Sequence, residues 1–265
     1  MNKKIYTHLF FDLDNTIWDF NLNSYHALQV ALEKLRLLEI IGSYDLFFKI
    51  YSEVNERLWE LYREGSMTKK VLSIQRFEES FEKNGTPLKI DGAIVNEAYL
   101  AEMPVQTKLV DGARKLLEYL HGRYSIAIIT NGFKEVQYDK IERSELSKYF
   151  TKIFISEEVG AQKPAKAIFE HAIKSMNAPK KSSLMIGDSW EADIVGAMNF
   201  GIDQVYFAPS HANFNSATKM GGARAKNAQI IEAPPPIFDV NTQKTNLNRT
   251  STTIITHLDQ IVQIL

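Results

Sequence analysis

Three short apolar runs along the chain each stop abruptly at a cluster of polar residues. His8-Leu9-Phe10-Phe11 leads into Asp12-Leu13-Asp14-Asn15-Thr16, Ile126-Ala127-Ile128-Ile129 into Thr130-Asn131-Gly132, and Ser183-Leu184-Met185-Ile186 into Gly187-Asp188-Ser189. The runs are continuous rather than alternating, which is the pattern of parallel strands covered by helices on both faces. Open parallel sheets take their ligands outside the carboxyl ends of the strands, where the strand order reverses. The pattern therefore predicts that three polar clusters, distant in sequence, converge on one crevice.

The residues between the first two runs follow a different period. After a first strand ending at Phe11, Leu28, Ala31, Leu32 and Leu35 recur at helical spacing. So do Val54, Leu58 and Leu61, and then Ile74, Phe77 and Phe81. Gly65, Asn84-Gly85-Thr86-Pro87 and Asp91-Gly92 punctuate these runs as turns. An all-helical domain over 17–103, ending at Met103-Pro104, is expected as an insertion into a core made of 1–16 and 104–265.

Strands and helices then alternate. Asp111 is expected to cap a helix whose apolar face is Ala113, Leu116, Leu117 and Leu120. A strand at 125–130, a helix at 133–145 and a short strand at 152–156 follow. Pro164 suits the first turn of a helix running to Met176. A strand at 183–187, a helix at 190–200 and a strand at 204–207 complete the series. This βαβα order predicts an α/β fold with a doubly wound parallel sheet. The segment 209–250 breaks the alternation with Gly221-Gly222, Pro234-Pro235-Pro236 and a long polar run, and reads as a surface insertion without catalytic duties. A strand at 253–255 and a helix containing Leu258, Ile261 and Val262 close the chain.

Composition narrows the class. With 265 residues and 45% hydrophobic content, a large core is within reach. Lysine and arginine total 31 against 32 acidic residues, which gives no basic surface for a nucleic-acid polymer or a membrane. The absence of cysteine excludes disulfide and thiolate chemistry. No run has the length of a bilayer span or the layout of a secretory signal, so the expectation is a soluble cytoplasmic protein, monomeric or homodimeric.

The strand-end residues carry the candidate chemistry. Asp12 and Asp14 lie two apart and, while extended, leave the same face of the strand. Asp188 and Asp193 add negative charge from another strand end. Close carboxylates repel one another unless a cation intervenes, and a set of oxygen donors suits Mg²⁺. Lys163, held extended by Pro164, offers a compact charge for a phosphate. Thr130, Asn131 and Gly132 offer a hydroxyl, an amide and backbone N–H groups to phosphate oxygens.

In this order the four clusters resemble the motifs of the haloacid dehalogenase-like superfamily of phosphohydrolases. They are Asp12-Leu13-Asp14-Asn15-Thr16, Ile129-Thr130-Asn131, Lys163-Pro164, and Gly187-Asp188 through Asp193. The resemblance implies a Rossmann-like core with an inserted helical cap of the C1 type. It implies that Asp12 forms an aspartyl-phosphate and that Asp14 protonates the leaving oxygen and then activates water. Mg²⁺ would be held by the Asp12 carboxylate, the Asp14 backbone carbonyl and Asp188, with Asp193 acting through water or by orienting a neighbour. Thr130 and Asn131 would hold phosphate oxygens while Lys163 neutralises Asp12 and the phosphate. An acid at Asp14 favours phosphoryl transfer over dehalogenation, because a halide leaves without a proton. Phosphonate hydrolysis would need a cap lysine able to form a Schiff base, and Lys69 and Lys70 read as solvated.

A narrower likeness is to the pyrimidine 5'-nucleotidase group of this superfamily. It rests on Ile129-Thr130-Asn131-Gly132-Phe133, on Ile155-Ser156-Glu157-Glu158-Val159-Gly160 and on Asn55, Leu58, Trp59, Tyr62 and Gly65. The implied substrate is a small phosphorylated metabolite, a nucleoside monophosphate. A sugar-phosphate phosphatase or phosphomutase is the alternative enzyme, and a non-catalytic phospho-ligand binder the alternative class. Trp59 and Tyr62 read as cap core that could also stack on a base, and Phe20 and Tyr25 as further candidate contacts.

Overall fold

The computed structural model describes residues 5–209 and 250–265. Its sheet has six parallel strands: β1 His8–Phe11, β2 Ser125–Thr130, β3 Lys152–Ile155, β4 Ser183–Gly187, β5 Asp203–Phe207 and β6 Thr252–Ile255. Their order is β3-β2-β1-β4-β5-β6, so β1 lies between β2 and β4 at the point where the winding reverses. Phe11 is level with Ile128 on one side and Ile186 on the other. The next residues, Asp12, Ile129-Thr130 and Gly187-Asp188, therefore emerge side by side.

Alternation along each strand divides the core in two. Leu9 and Phe11, Ile126 and Ile128, and Leu184 and Ile186 belong to one apolar cluster. Phe10, Ala127, Ile129 and Met185 belong to the other. The second cluster is closed by α9 (Lys166–Ser175) and α10 (Gly196–Phe200) through Ile168, Phe169, Ala172, Ala197 and Phe200. The first is closed by α6 (Ala113–Leu120) and α7 (Lys134–Arg143), and it continues into the helices inserted after β1. A single turn, α8 (Ser156–Val159), follows β3, and α11 (Ile261–Ile264) ends the chain.

The inserted helices are α1 (Phe20–Lys34), α2 (Leu38–Ile41), α3 (Tyr44–Arg63), α4 (Lys69–Lys83) and α5 (Gly92–Glu102). Side chains of Asp19, Ser43, Thr68 and Asp91 cap α1, α3, α4 and α5, each accepting a first-turn backbone N–H. Phe47, Tyr51, Val54 and Leu58 of α3 pack on Leu72, Phe77 and Phe81 of α4, and Tyr51 stacks on Phe77 at 5.4 Å. The chain enters and leaves this block by two connections that run side by side. Val110 N–H donates to Ile17 O, Asp19 N–H to Lys108 O, and the Asn23 carboxamide bonds both the backbone N–H and the C=O of Lys108. A surface cleft beside them, lined by His26, Lys108, Arg114 and Lys115, includes none of the strand-end carboxylates.

Three local expectations are corrected. Asp111 does not cap α6: Gly112, at φ 83°, takes that position without a side-chain bond. Pro164 stands before α9 rather than in its first turn, because Lys163 and Pro164 belong to a loop and Ala165 is the cap. The helix expected at 190–200 opens with a wider π-helical turn, Trp190–Val195, before α10. The expected insertion at 209–250 lies outside the described residues, apart from its two ends. Among the described residues no helix is long and apolar enough to cross a membrane.

Candidate active site

Where β1 ends, Asp12 N–H donates to Ile186 O of β4 and its carboxylate turns into the crevice, 7% exposed. Lys163 reaches it from the loop before α9. The backbone of Lys163 is gripped by the Asn131 carboxamide, whose Nδ2 donates to Lys163 O at 2.9 Å and whose Oδ1 accepts Lys163 N–H at 2.8 Å. Its Nζ then donates to Asp12 Oδ1 at 2.5 Å and to Asp193 Oδ1 at 2.7 Å. Asp193 comes from the π-helical turn and is fully buried; its Oδ2 accepts Ser189 N–H at 3.0 Å. Gly187 makes room for it, since a Cβ there would lie 2.2 Å from Asp193 Oδ2. Asp188 accepts a hydrogen bond from Thr16 Oγ1 at 3.1 Å.

Asp12, Asp188 and Asp193 each place a carboxylate oxygen within 4.8 Å of the other two. Lys163 is the cation that pairs within this group, so with all three carboxyls ionised one ammonium leaves two negative charges uncompensated. Burial pushes the Asp12 carboxyl well up, Lys163 opposes the shift, and Asp193, Asp188 and Asp14 add to it. Burial and then Asp193 push Asp188 up to about 7. Burial pulls on the Lys163 ammonium, but Asp12 and Asp193 hold its value above normal. Buried oxygen donors lacking two positive charges fit a hard divalent cation such as Mg²⁺.

Asp14 departs from the expected picture. Its carboxylate turns away from that cluster toward α7, where Oδ1 accepts from Lys140 Nζ at 2.9 Å and Oδ2 from Gln137 Nε2 at 3.0 Å. Two strand-end carboxylates thus diverge instead of sharing a face. Asn131 likewise gives its carboxamide oxygen and one of its two amide hydrogens to the Lys163 backbone, which leaves one hydrogen for a phosphate oxygen. Thr130 is buried, and its Oγ1 accepts from Gly132 N–H and from Gln137 Nε2. Gln137, Lys140 and Thr16 were not anticipated. The trace in the sequence is on α7, where Gln137 and Lys140 interrupt the buried stripe of Val136 and Ile141.

Above the Thr130-Asn131-Gly132 loop lies a seam between core and inserted helices. Phe133 packs on Trp59 at 4.9 Å and on Tyr62 at 6.4 Å between ring centroids. Lys69 is not solvated as expected. Its Nζ pairs with Glu135 and with Glu157, each at 2.7 Å, and stands 4.5 Å from the Phe133 ring centre. Burial pulls its pKa down, but Glu135 and Glu157 outweigh that pull and raise it. Gln162 Nε2 donates to Tyr62 O and Arg63 O across the same seam. Tyr25 is committed elsewhere, to Asp45 and the rings of Tyr44 and Phe48, while Phe20 lies beside Trp18 and Lys140.

A family described as haloacid dehalogenase-like hydrolase matches residues 6–201. The pyrimidine 5'-nucleotidase YjjG of Escherichia coli is 35% identical over 77% of this chain and 86% of its own. A ribulose-1,5-bisphosphate 5-phosphatase of Halopiger xanaduensis is 31% identical over 77% of this chain and 85% of its own. Among solved structures, the hydrolase YfnB of Bacillus subtilis, crystallised with bound magnesium, superposes with a TM-score of 0.73. It is 31% identical and covers 78% of this chain and 91% of its own.

Proposed function

The chain belongs to the haloacid dehalogenase-like hydrolases, and from that premise we propose that it is a Mg²⁺-dependent phosphomonoesterase acting on pyrimidine nucleoside 5'-monophosphates. The observation that carries the reaction is Lys163 Nζ spanning Asp12 and Asp193 beside Asp188, an anionic pocket with one buried ammonium. Asp12, steadied by Lys163, attacks phosphorus as the ester P–O bond breaks, and Asp14 gives a proton to the departing oxygen. In the second half Asp14 takes a proton from water, whose oxygen attacks phosphorus and returns Asp12 free with inorganic phosphate. Asp12, Asp188 and the Asp14 backbone carbonyl would hold Mg²⁺, which lets an anionic nucleophile approach an anionic phosphate. Asp193 keeps Lys163 in place. The Thr130 hydroxyl and the Asn131 backbone N–H take phosphate oxygens, Gly132 N–H being given to Thr130 Oγ1, while the Asn131 side chain fixes Lys163.

The domain reading belongs to the same proposal. Residues 17–103 act as a cap over a core of 1–16 and 104–265, hinged where Ile17–Asp19 runs beside Lys108–Val110. The aromatic group of Trp59, Tyr62 and Phe133 adjoins the phosphate loop and offers ring faces of the kind a nucleobase stacks on. Likeness to YjjG supports the nucleotide class, and a chain without cysteine is in keeping with the cytoplasm, where such substrates are made.

A phosphate-release screen with Mg²⁺ tests the proposal over nucleoside monophosphates, hexose phosphates and triose phosphates. Pyrimidine monophosphates are expected to have the highest kcat/KM; hexose or triose phosphates ahead of them overturn the substrate class. Activity that survives EDTA, or turnover by Asp12→Asn near that of the parent, overturns the mechanism.

A further inference from the structure

We propose that Gln137 and Lys140 of α7 are positioning residues that hold Asp14 where it can pass its proton, and that Gln137 couples this to the phosphate loop. The inference rests on the reading above, in which Asp14 is the proton carrier. Both side chains are buried, at 0% and 2% exposure, and both reach more than 120 residues back along the chain to the same carboxylate. Lys140 takes Oδ1 and Gln137 takes Oδ2, so neither oxygen is left to choose its own orientation. A carboxyl held at both oxygens has its plane set before substrate arrives, which is what proton transfer over a single hydrogen-bond length requires.

Hydrogen accounting gives Gln137 a second task. An amide nitrogen carries two hydrogens, and here one goes to Asp14 Oδ2 at 3.0 Å and the other to Thr130 Oγ1 at 2.6 Å. Thr130 Oγ1 also accepts Gly132 N–H at 3.1 Å. With its lone pairs occupied, the Thr130 hydroxyl has only its own hydrogen to offer, and that hydrogen is free for a phosphate oxygen. One side chain therefore orients both the proton carrier and a phosphate donor.

Two further observations oppose a purely structural role. Gln137 Oε1 is buried without a hydrogen-bond partner, a cost that an apolar side chain of the same size would avoid. Gly132 is also shaped around this contact: a Cβ there would lie 2.1 Å from Gln137 Nε2 and 3.1 Å from Asp14 Oδ2. Lys140, whose Nζ lies 4.3 Å from the Trp18 ring centre, makes no ion pair except that with Asp14 among the described residues.

The test is the dependence on leaving group, read as kcat/KM so that only steps through transfer to Asp12 count. An aryl phosphate such as 4-nitrophenyl phosphate loses its oxygen without needing a proton, whereas a nucleoside 5'-monophosphate releases an alkoxide that must be protonated. Gln137→Leu and Lys140→Met are expected to lose about 10- to 100-fold more kcat/KM on the nucleotide than on the aryl ester. Lys140→Arg should recover most of that difference, and circular dichroism of the same sample reports folding. Where Gln137→Leu does not fold, Gln137→Asn, one methylene short, should show the same bias more weakly. Gln137→Leu, which also releases Thr130, should lose more kcat/KM on the aryl ester than Lys140→Met does; equal aryl losses in the two reject the coupling to the phosphate loop, and the absence of a bias toward the nucleotide in both overturns the proposal. Asp14→Asn is run beside them: a bias in that variant without one in the others rejects the α7 residues alone, and its absence there rejects Asp14 as proton carrier.

Discussion

Replacing Lys163 by Met tests the electrostatics of the site directly. The side chain is 2% exposed, and its ammonium is shared by two buried carboxylates at 2.5 and 2.7 Å. Methionine fills nearly the same volume, so packing changes little and charge is the main loss. Asp12 and Asp193 would then face one another, and Asp188, with no cation among them. Removing one partner of a buried ion pair costs about 3–5 kcal/mol, because the other is left desolvated and unpaired. Against a total stability of about 5–15 kcal/mol, that loss lowers the melting temperature by roughly 6–20 °C at about 2–4 °C per kcal/mol. The measurement is thermal unfolding by circular dichroism in EDTA, for Lys163→Met, Asp193→Asn and the double variant. Asp193→Asn removes one carboxylate while its amide oxygen can still accept Ser189 N–H. The double variant should therefore be more stable than the sum of the single losses predicts, by about 0.5–3 kcal/mol. A Lys163→Met protein melting within about 2 °C of the parent in EDTA would refute the claim that this ammonium compensates the cluster.

Two further outcomes are expected. The folded-state values of Asp12 and Asp188 lie above the ordinary 3.8, Asp188 at about 7, so the folded protein binds more protons than the unfolded chain between those limits. Their contribution is complete below the unfolded value and is lost as pH rises through the folded one, up to about 4 kcal/mol for Asp188. Melting temperature in EDTA should fall between about pH 4 and about pH 7, and Mg²⁺ should flatten the profile; a flat or rising profile in EDTA counts against it. Gly187→Ala would drive a methyl into Asp193 Oδ2 and displace a side chain that has no space to move. A stability loss of about 1–3 kcal/mol and loss of phosphate release are expected, measured by urea unfolding and product assay, and parent-like values in both would sink the packing argument.

The strands, their parallel order and the polar residues at their ends are legible in the sequence because they follow from local physics. A buried strand between helices must be apolar on both faces, and Leu9, Phe10 and Phe11 are, with neighbours dividing between the two cores. The helical spacing of Val54 and Leu58, or of Phe77 and Phe81, is equally local. What each polar group does with its hydrogen bonds is not. Asp14 turns from Asp12 toward Lys140, 126 residues away, and Asn131 ties its carboxamide to the backbone of Lys163. Lys69 finds Glu135 and Glu157, so a residue that reads as solvated becomes a tie between α4 and the segments that follow β2 and β3. Periodicity reports which face a side chain leaves, because it depends on the few residues around it. Partner choice depends on distances that arise only when β1, α7 and the loop before α9 are packed together, and a shift of a few ångströms there exchanges one partner for another.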